Sequence, residues 1–126
     1  MSEIRNLDPA ALERLQKLGG EAFVAKMIGL FVDYAGGRVV AAREALTGRD
    51  LTGVRDAVHP VKSSAGNVGA CRVQELAQRI EQLAQRGQGE ELAALIGELE
   101  SAFAAVKVEL EQKQQGAGDQ ARLTGS

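Results

Sequence analysis

Aromatic residues are scarce in this chain: they make up 3% of its 126 residues, and tryptophan is absent. A hydrophobic core must therefore consist mainly of aliphatic side chains, which suits packed helices. The single cysteine, Cys71, excludes an internal disulfide and favours a reducing compartment. No apolar run approaches the roughly 18 residues needed to cross a bilayer, and the N-terminus carries no secretory signal. We therefore expect a cytoplasmic protein that does not enter a membrane.

Neither sign of charge dominates, because 15 basic and 17 acidic residues give a net charge of −2. This balance provides no electrostatic surface for nucleic acid. The sequence contains no glycine-rich nucleotide loop, and its single histidine has no second histidine with which to share a metal. We therefore expect no nucleic-acid partner, no intrinsic cofactor or metal, and no ATP-dependent catalysis by this chain alone.

Helical periodicity covers most of the sequence. Asp8-Pro9 predicts the start of a short helix with Leu12, Leu15 and Leu18 at helical spacing, and Gly19-Gly20 predicts its end. Longer apolar stripes predict helices over about 21–47, 51–68, 73–83 and 90–110. The pattern indicates an all-α fold, an antiparallel up-down-up-down four-helix bundle with a short additional N-terminal helix.

The last residues differ in composition from the rest. Residues 116–126 have no periodic apolar pattern, and we expect them to form a disordered tail that follows a domain of residues 1–115. The start at Met1 and this tail favour a free-standing protein.

The second predicted helix has more apolar surface than one core stripe needs. Its main stripe keeps its phase through Gly36-Gly37, which favours one long helix that is weakened or bent there. A parallel stripe consists of Phe23, Met27, Leu30 and Tyr34. Either the short N-terminal helix covers this second stripe, or a partner protein does.

The third predicted helix contains a proline. The valine stripe that includes Val58 and Val61 passes through Pro60 without losing register, so we expect one helix there. An internal proline costs about 3 kcal/mol, because it lacks an N–H group. The carbonyl of Asp56 should consequently be left unpaired.

His59, the only histidine, lies on the flank of this helix outside the valine stripe. Its ring is therefore expected near solvent. Arg55 and Lys62 share this face, four residues before and three residues after the histidine. An exposed imidazole nitrogen is a nucleophile that could accept a phosphoryl group, and these two cations could then stabilise the negative charge of that group. Composition and spacing leave an ordinary surface histidine equally open.

Small residues follow His59 on the same helix. Ser63, Gly66 and Asn67 project little, which leaves room above the ring for the active site of another protein. Close packing between helices would explain small residues equally well.

The stretch from His59 to Ala70 resembles the signature of histidine-containing phosphotransfer (HPt) domains. In that signature the histidine is followed by an aliphatic residue two positions on, lysine three positions on, small residues, and Gly-Ala. Val61, Lys62, Ser64 and Gly69-Ala70 match this pattern. Ser63 stands where many members have glycine, and Pro60 is a modest departure. The resemblance extends over about residues 4–112.

The resemblance implies a mechanism. The imidazole Nε2 of His59 would attack a phosphorylated aspartate on a partner receiver domain, which carries Mg²⁺, and would later pass the phosphoryl group to a second receiver. Lys62 would act as an electrostatic helper, and Ser63 and Gly66 would give clearance. The match places Glu81 on the facing helix, where its carboxylate could accept from Nδ1–H and leave Nε2 free.

The resemblance also implies the partners. They would be receiver domains of hybrid histidine kinases and response regulators, and the protein would work as a monomer without autokinase activity. Arg55, Asn67 and Gln85 are further candidates for docking. A non-catalytic adaptor bundle, which binds a signalling partner without phosphorylation, is the alternative. A kinase dimerisation domain is disfavoured, because an acid normally follows its histidine, whereas Pro60 follows here.

Overall fold

The computed structural model describes residues 5–124, and its regular elements are four helices. They are α1 (Pro9–Thr47), α2 (Leu51–Val68), α3 (Cys71–Gln85) and α4 (Leu92–Thr124). The packed pairs are α1 with α2, α2 with α3, α3 with α4, and α4 with α1, so each helix has two neighbours. The predicted all-α, antiparallel up-down-up-down four-helix bundle is confirmed. In the described part of the chain, no helix is long and apolar enough to cross a membrane.

Helix α1 contains the predicted break near its N-terminus. The Asp8 side chain accepts from the Ala10 amide at 3.0 Å, and Pro9 follows at the first helical position. Gly20 then adopts φ 82° and ψ −174°, a conformation that interrupts the helix. The short N-terminal helix is therefore the part of α1 before this kink. Leu18 does not join the core as its spacing suggested, since 79% of it is exposed at the end of this short segment.

The core is aliphatic, as the composition predicts. The apolar stripes of the long helices meet inside the bundle, and ten of the side chains with at most 1% exposure are Ile28, Val54, Val58, Val61, Val68, Val73, Leu76, Ile80, Leu92 and Leu99. Phe31 of α1 packs near Phe103 of α4, with ring centroids 6.0 Å apart. Burial of these stripes is the main force that holds the four helices together.

Helix α2 continues through Pro60, as predicted, but the expected orphan carbonyl is not left unpaired. The Nη2 of Arg38, on α1, donates to the Asp56 carbonyl at 2.6 Å, and its Nε donates to the Ala57 carbonyl at 3.0 Å. The prediction for Asp56 was wrong because it considered only donors within the helix. A side chain from the neighbouring helix supplies the missing donor.

The turn after α2 depends on a glycine. Gly69 has φ 79°, the left-handed conformation that ends many helices. Its carbonyl accepts from the Asp8 amide at 2.8 Å, and a Cβ at Gly69 would meet the Asp8 carbonyl oxygen and lie 2.9 Å from the Ala11 Cβ. The N-terminal segment therefore packs directly on this turn, and the glycine of the signature is required by the fold.

Helix α4 extends beyond its predicted end. It begins at Leu92 and continues to Thr124, so the segment expected as a disordered tail from Gly116 is helical as far as Thr124. Residues 125 and 126 of that tail lie outside the described residues. Gly116 and Gly118 disfavour a helix by propensity, but a helix whose stem is already packed needs no new nucleus to continue past them. The stem is held in part by Gln114, whose Nε2 donates to the Ala25 carbonyl of α1 at 3.0 Å.

Candidate functional site

His59 lies on the outer side of α2. Its neighbours Val58 and Val61 are fully buried in the core, whereas 69% of the histidine side chain is exposed. The expectation that the ring lies near solvent is confirmed. The core stripe of α2 therefore fixes the helix rotation, and this rotation presents the imidazole outward.

Glu81 of α3 holds one side of the ring. Only 9% of its side chain is exposed, and its Oε2 is hydrogen-bonded to Nδ1 of His59. An ionised carboxylate can only accept, so Nδ1 carries the hydrogen in this contact. The other ring nitrogen, Nε2, is then the one that can act as a nucleophile.

Lys62 reaches the same carboxylate. Its Nζ donates to Oε1 of Glu81 at 2.5 Å, so each oxygen of Glu81 has a partner on α2. Burial raises the pKa of Glu81, but the hydrogen bonds from Lys62 and His59 outweigh burial and hold that pKa below its ordinary value. Glu81 is therefore ionised at neutral pH. We call His59, Lys62 and Glu81 the imidazole cluster.

The small residues after His59 have different surroundings. Ser63 and Asn67 are exposed on α2. Gly66 lies beside α3, where an added Cβ would come within 2.8 Å of Nε2 of Gln74. Gln74 is exposed and its side chain can move aside, so this contact does not by itself require a glycine, and both explanations that the sequence allowed stay open.

Arg55 and Gln85 do not belong to the imidazole cluster. Arg55 pairs with its neighbour Asp56, at 3.2 Å from Nη2 to Oδ1. Gln85 is exposed at the end of α3, one turn beyond Glu81. Any role of these two side chains would be in contact with a docked partner.

An apolar groove lies between α1 and α2. Its cavity volume is about 290 Å³, and its lining consists of Met27, Leu30, Phe31, Tyr34, Ser64, Asn67 and Val68. Leu30 is 54% exposed and Tyr34 is 48% exposed, so the short N-terminal helix does not cover this part of the second stripe. Ser64 and Asn67 belong to α2, so one wall of the groove is formed by the helix that carries His59. We call this surface the α1–α2 groove.

Metal-binding side chains are not grouped in the described part of the chain. Among residues 5–124 there is no group of three or more histidine, cysteine, aspartate or glutamate side chains that could hold a metal ion. Separately, the imidazole cluster offers a nucleophilic ring nitrogen with an oriented, ionised carboxylate behind it.

Comparison with known protein families gives a match that covers most of the chain. The family model described as Hpt domain matches residues 26–119, which include all of α2 and α3 and therefore the whole imidazole cluster. A comparison with curated protein sequences found no significant match.

Solved structures with the same fold include a bacterial and two plant proteins. The histidine-containing phosphotransfer protein HptB from Pseudomonas aeruginosa PAO1 is 26% identical, with a TM-score of 0.83, and the alignment covers 90% of this chain and 97% of that chain. A rice protein of the same description is 21% identical, with a TM-score of 0.78 and coverage of 91% and 85%. The protein MtHPt2 from Medicago truncatula is 17% identical, with a TM-score of 0.77 and coverage of 96% and 84%.

Proposed function

The chain belongs to the Hpt domain family, and from this premise we propose that His59 is the residue at which it accepts and passes on a phosphoryl group. The protein is a histidine phosphotransfer protein of a two-component phosphorelay. Proteins of this family are phosphotransfer intermediates and not kinases. We further propose that this chain has no autokinase activity.

The observation that carries the assignment to His59 is the state of its ring. It is the only histidine in the sequence, it is exposed on α2, and its Nδ1 is engaged by Glu81. Nε2 is therefore the free nitrogen, and it lies on a side chain that a partner protein can reach.

The proposed reaction is an in-line transfer from an aspartyl phosphate. The lone pair of Nε2 forms a bond to phosphorus, the bond between phosphorus and the aspartyl oxygen breaks, and the electron pair leaves with the aspartate carboxylate. Attack by the neutral ring leaves a positive charge on the phosphorylated imidazole, which still carries its Nδ1 hydrogen. The negative carboxylate of Glu81 stabilises this charge at hydrogen-bond distance. Transfer to a second aspartate reverses the same steps.

Lys62 has two roles in this proposal. In the resting protein its ammonium group contacts Glu81 and helps to keep that carboxylate ionised. It is also a cation within one turn of His59, so it favours the negative phosphoryl group that arrives there.

We propose receiver domains of hybrid histidine kinases and response regulators as the partners. A receiver would dock over Ser63 and Asn67 and use the α1–α2 groove as its apolar contact, with Arg55, Gly66 and Gln85 at the edge of the docked surface. Mg²⁺ would be carried by the receiver. We also propose that the protein acts as a monomer in the cytoplasm, in line with its single cysteine and this class of partner.

Incubation with charged receivers tests the proposal. A panel of receiver domains is phosphorylated with acetyl phosphate and Mg²⁺ and mixed with the wild-type protein or with the His59→Gln variant. The wild type should acquire phosphate that is labile in acid and stable in alkali, and the variant should acquire none. Circular dichroism and thermal melting of the variant should stay close to the wild type, because the side chain is exposed and a glutamine amide can donate to Glu81 in place of Nδ1.

Two results would contradict the proposal. Phosphate on the variant would place the acceptor elsewhere. Tight binding of a charged receiver without any transfer would favour the adaptor function, which the family match does not favour.

A further inference from the structure

Pro60 creates a defect in the turn of α2 that carries His59. Proline has no N–H group, so the Asp56 carbonyl cannot receive its usual hydrogen bond from position 60. The ring of an internal proline also presses against that carbonyl and tends to bend the helix there. A bend at this point would move the imidazole relative to Glu81, which belongs to another helix.

Arg38 of α1 fits this defect. Its Nη2 donates to the Asp56 carbonyl at 2.6 Å, and its Nε donates to the Ala57 carbonyl at 3.0 Å. The first acceptor is the one that the proline leaves without a donor, and the second is the next carbonyl along the helix. Two donors in a rigid planar fork match two successive carbonyls, which the single ammonium group of a lysine cannot do in the same way.

The turn that carries His59 is thus held from two neighbouring helices. Arg38 holds its backbone from α1, and Glu81 holds the imidazole ring from α3. The hydrogen bond to Glu81 requires both the turn and the ring to keep their positions. A carbonyl without a protein donor would turn toward water and would loosen this arrangement.

We propose that Arg38 is a positioning residue for His59: its guanidinium group replaces the donor that Pro60 lacks and holds the turn of α2 that keeps the imidazole against Glu81. The proposal rests on the function proposed above and adds a residue of α1 that donates to the backbone of α2. If the proposal is correct, replacing Arg38 slows phosphorylation of His59 strongly when Pro60 is present and only weakly when it is absent.

A double-mutant cycle tests this dependence. The proteins are the wild type, Arg38→Gln, Pro60→Ala and the double variant, and the donor is phosphoramidate, which phosphorylates imidazole nitrogen with release of ammonia and needs no receiver. Arg38→Gln should slow phosphorylation roughly tenfold, because small errors in position have large effects on rate. In the Pro60→Ala background the same change should cost at most about twofold, because the restored N–H supplies the donor.

Nuclear magnetic resonance of the imidazole gives a second, independent readout. His59 is the only histidine, so its ring nitrogens give unambiguous signals. Arg38→Gln should weaken the protected Nδ1–H signal, and Pro60→Ala in the same chain should restore it. If the wild type accepts no phosphoryl group from any donor, the proposed function fails, but these spectra still decide whether Arg38 positions the ring.

Two further variants test whether the slower phosphorylation arises from lost positioning, from lost charge or from lower stability. Arg38→Lys keeps the charge but not the fork, and it should remain slow. Arg43→Gln removes an ion pair with Glu100 of α4, at 2.7 Å, and should lower the melting temperature without slowing phosphorylation. If Arg38→Gln does not fold, the double variant decides: a folded protein with a rate near that of Pro60→Ala supports the proposal.

Several results would overturn it. One is equal slowing by Arg38→Gln in both backgrounds, and another is no slowing in either. Full activity of Arg38→Lys would show that charge alone suffices. A double variant as impaired as Arg38→Gln would show that the arginine does not act through the proline.

Discussion

Glu81 is the residue on which the geometry of the site depends most. Each of its oxygens holds a different partner, His59 through Oε2 and Lys62 through Oε1. Without partners, a nearly buried carboxylate would have a raised pKa and would stay protonated to a higher pH than an exposed one, because burial disfavours its charged form. The two hydrogen bonds reverse that preference, so the carboxylate that orients the imidazole is also one that contributes to the stability of the fold.

Because this contribution requires an ionised Glu81, the free energy of unfolding should depend on pH. The pKa of Glu81 is lower in the folded protein than its ordinary value of 4.5, so the folded state gains stability above that pH and loses it as the pH falls through the folded pKa. Glu81→Gln should therefore lower the free energy of unfolding by about 1–2 kcal/mol at pH 7. The difference from the wild type should shrink below pH 4.5. Denaturant unfolding of both proteins between pH 7 and pH 3 measures it.

The control is Glu90→Gln, which replaces an exposed acid that precedes α4. Surface substitutions of this kind change the free energy of unfolding by at most about 0.5 kcal/mol. A Glu81→Gln difference that is absent at pH 7, or that increases toward acid, would refute the account of this carboxylate.

The residues of the imidazole cluster could be identified from the sequence, but not all of their contacts could. Periodicity places His59 outside the valine stripe, and the family resemblance led to Glu81. The contact of Lys62 with Glu81 was not predicted, because spacing along α2 does not say which side chain of α3 faces it. Arg38 was missed for the same reason: it is 18 residues from Asp56, and only the packing of α1 on α2 brings the two together.

At the scale of the helix, two glycine pairs in α1 behave differently. Gly20 has φ 82° and ψ −174° and breaks the helix, whereas Gly36 and Gly37 lie inside it without a break. The apolar stripe keeps its phase across Gly36-Gly37, and the prediction of one helix there is confirmed, although the backbone at that pair stays helical and shows no break. The predicted end at Gly19-Gly20 corresponds to the break at Gly20. The kink directs the short N-terminal segment onto the turn at Gly69.

Alanine substitutions at two of these glycines should have opposite effects. Gly20→Ala should lower the free energy of unfolding by about 1–3 kcal/mol, because its backbone conformation is strained for any other residue. Gly37→Ala is the matched control: no atom lies within 4 Å of an added Cβ, and alanine favours a helix interior. It should raise the free energy by about 0.5–1 kcal/mol. Equal effects of the two changes in denaturant unfolding would contradict the assigned kink.

The end of α4 was less predictable than its core stripe. Periodic leucines and valines indicate the helix as far as Leu110, because the positions that face the core require apolar side chains at helical spacing. Beyond that residue the helix continues to Thr124, although the sequence there has no apolar period and Gly116 and Gly118 lower its helix propensity, so neither signal predicts the extension. The proposed domain boundary at residue 115 stays a prediction.

At the scale of the whole molecule, the bundle leaves an apolar region of α1 uncovered beside α2. Aliphatic stripes close the core on all four helices, but Leu30 and Tyr34 remain exposed beside the helix that carries His59. From the sequence, the N-terminal helix or a partner could have covered the second stripe. Only the packed bundle shows that the N-terminal helix lies elsewhere, at the turn after α2.

A pair of charged substitutions tests the role of this region. Leu30→Asp should weaken binding of a receiver about tenfold, equivalent to about 1.4 kcal/mol, because it places a charge in the α1–α2 groove. Val40→Asp is the control, since Val40 is equally exposed on α1, at 56%, but does not line the groove. Titration calorimetry with one receiver measures both. Equal affinities of the two variants would place the docking surface elsewhere.

The measurement that tests the central claim most directly is the position of the phosphoryl group on the ring. The protein is labelled with ¹⁵N and phosphorylated, and coupling between ³¹P and the ring nitrogens is recorded by nuclear magnetic resonance. His59 is the only histidine, so one imidazole accounts for every ring signal. We expect the phosphoryl group on Nε2, with hydrogen retained on Nδ1 beside Glu81. A phosphoryl group on Nδ1, or on a carboxylate with an unmodified His59, would contradict the account.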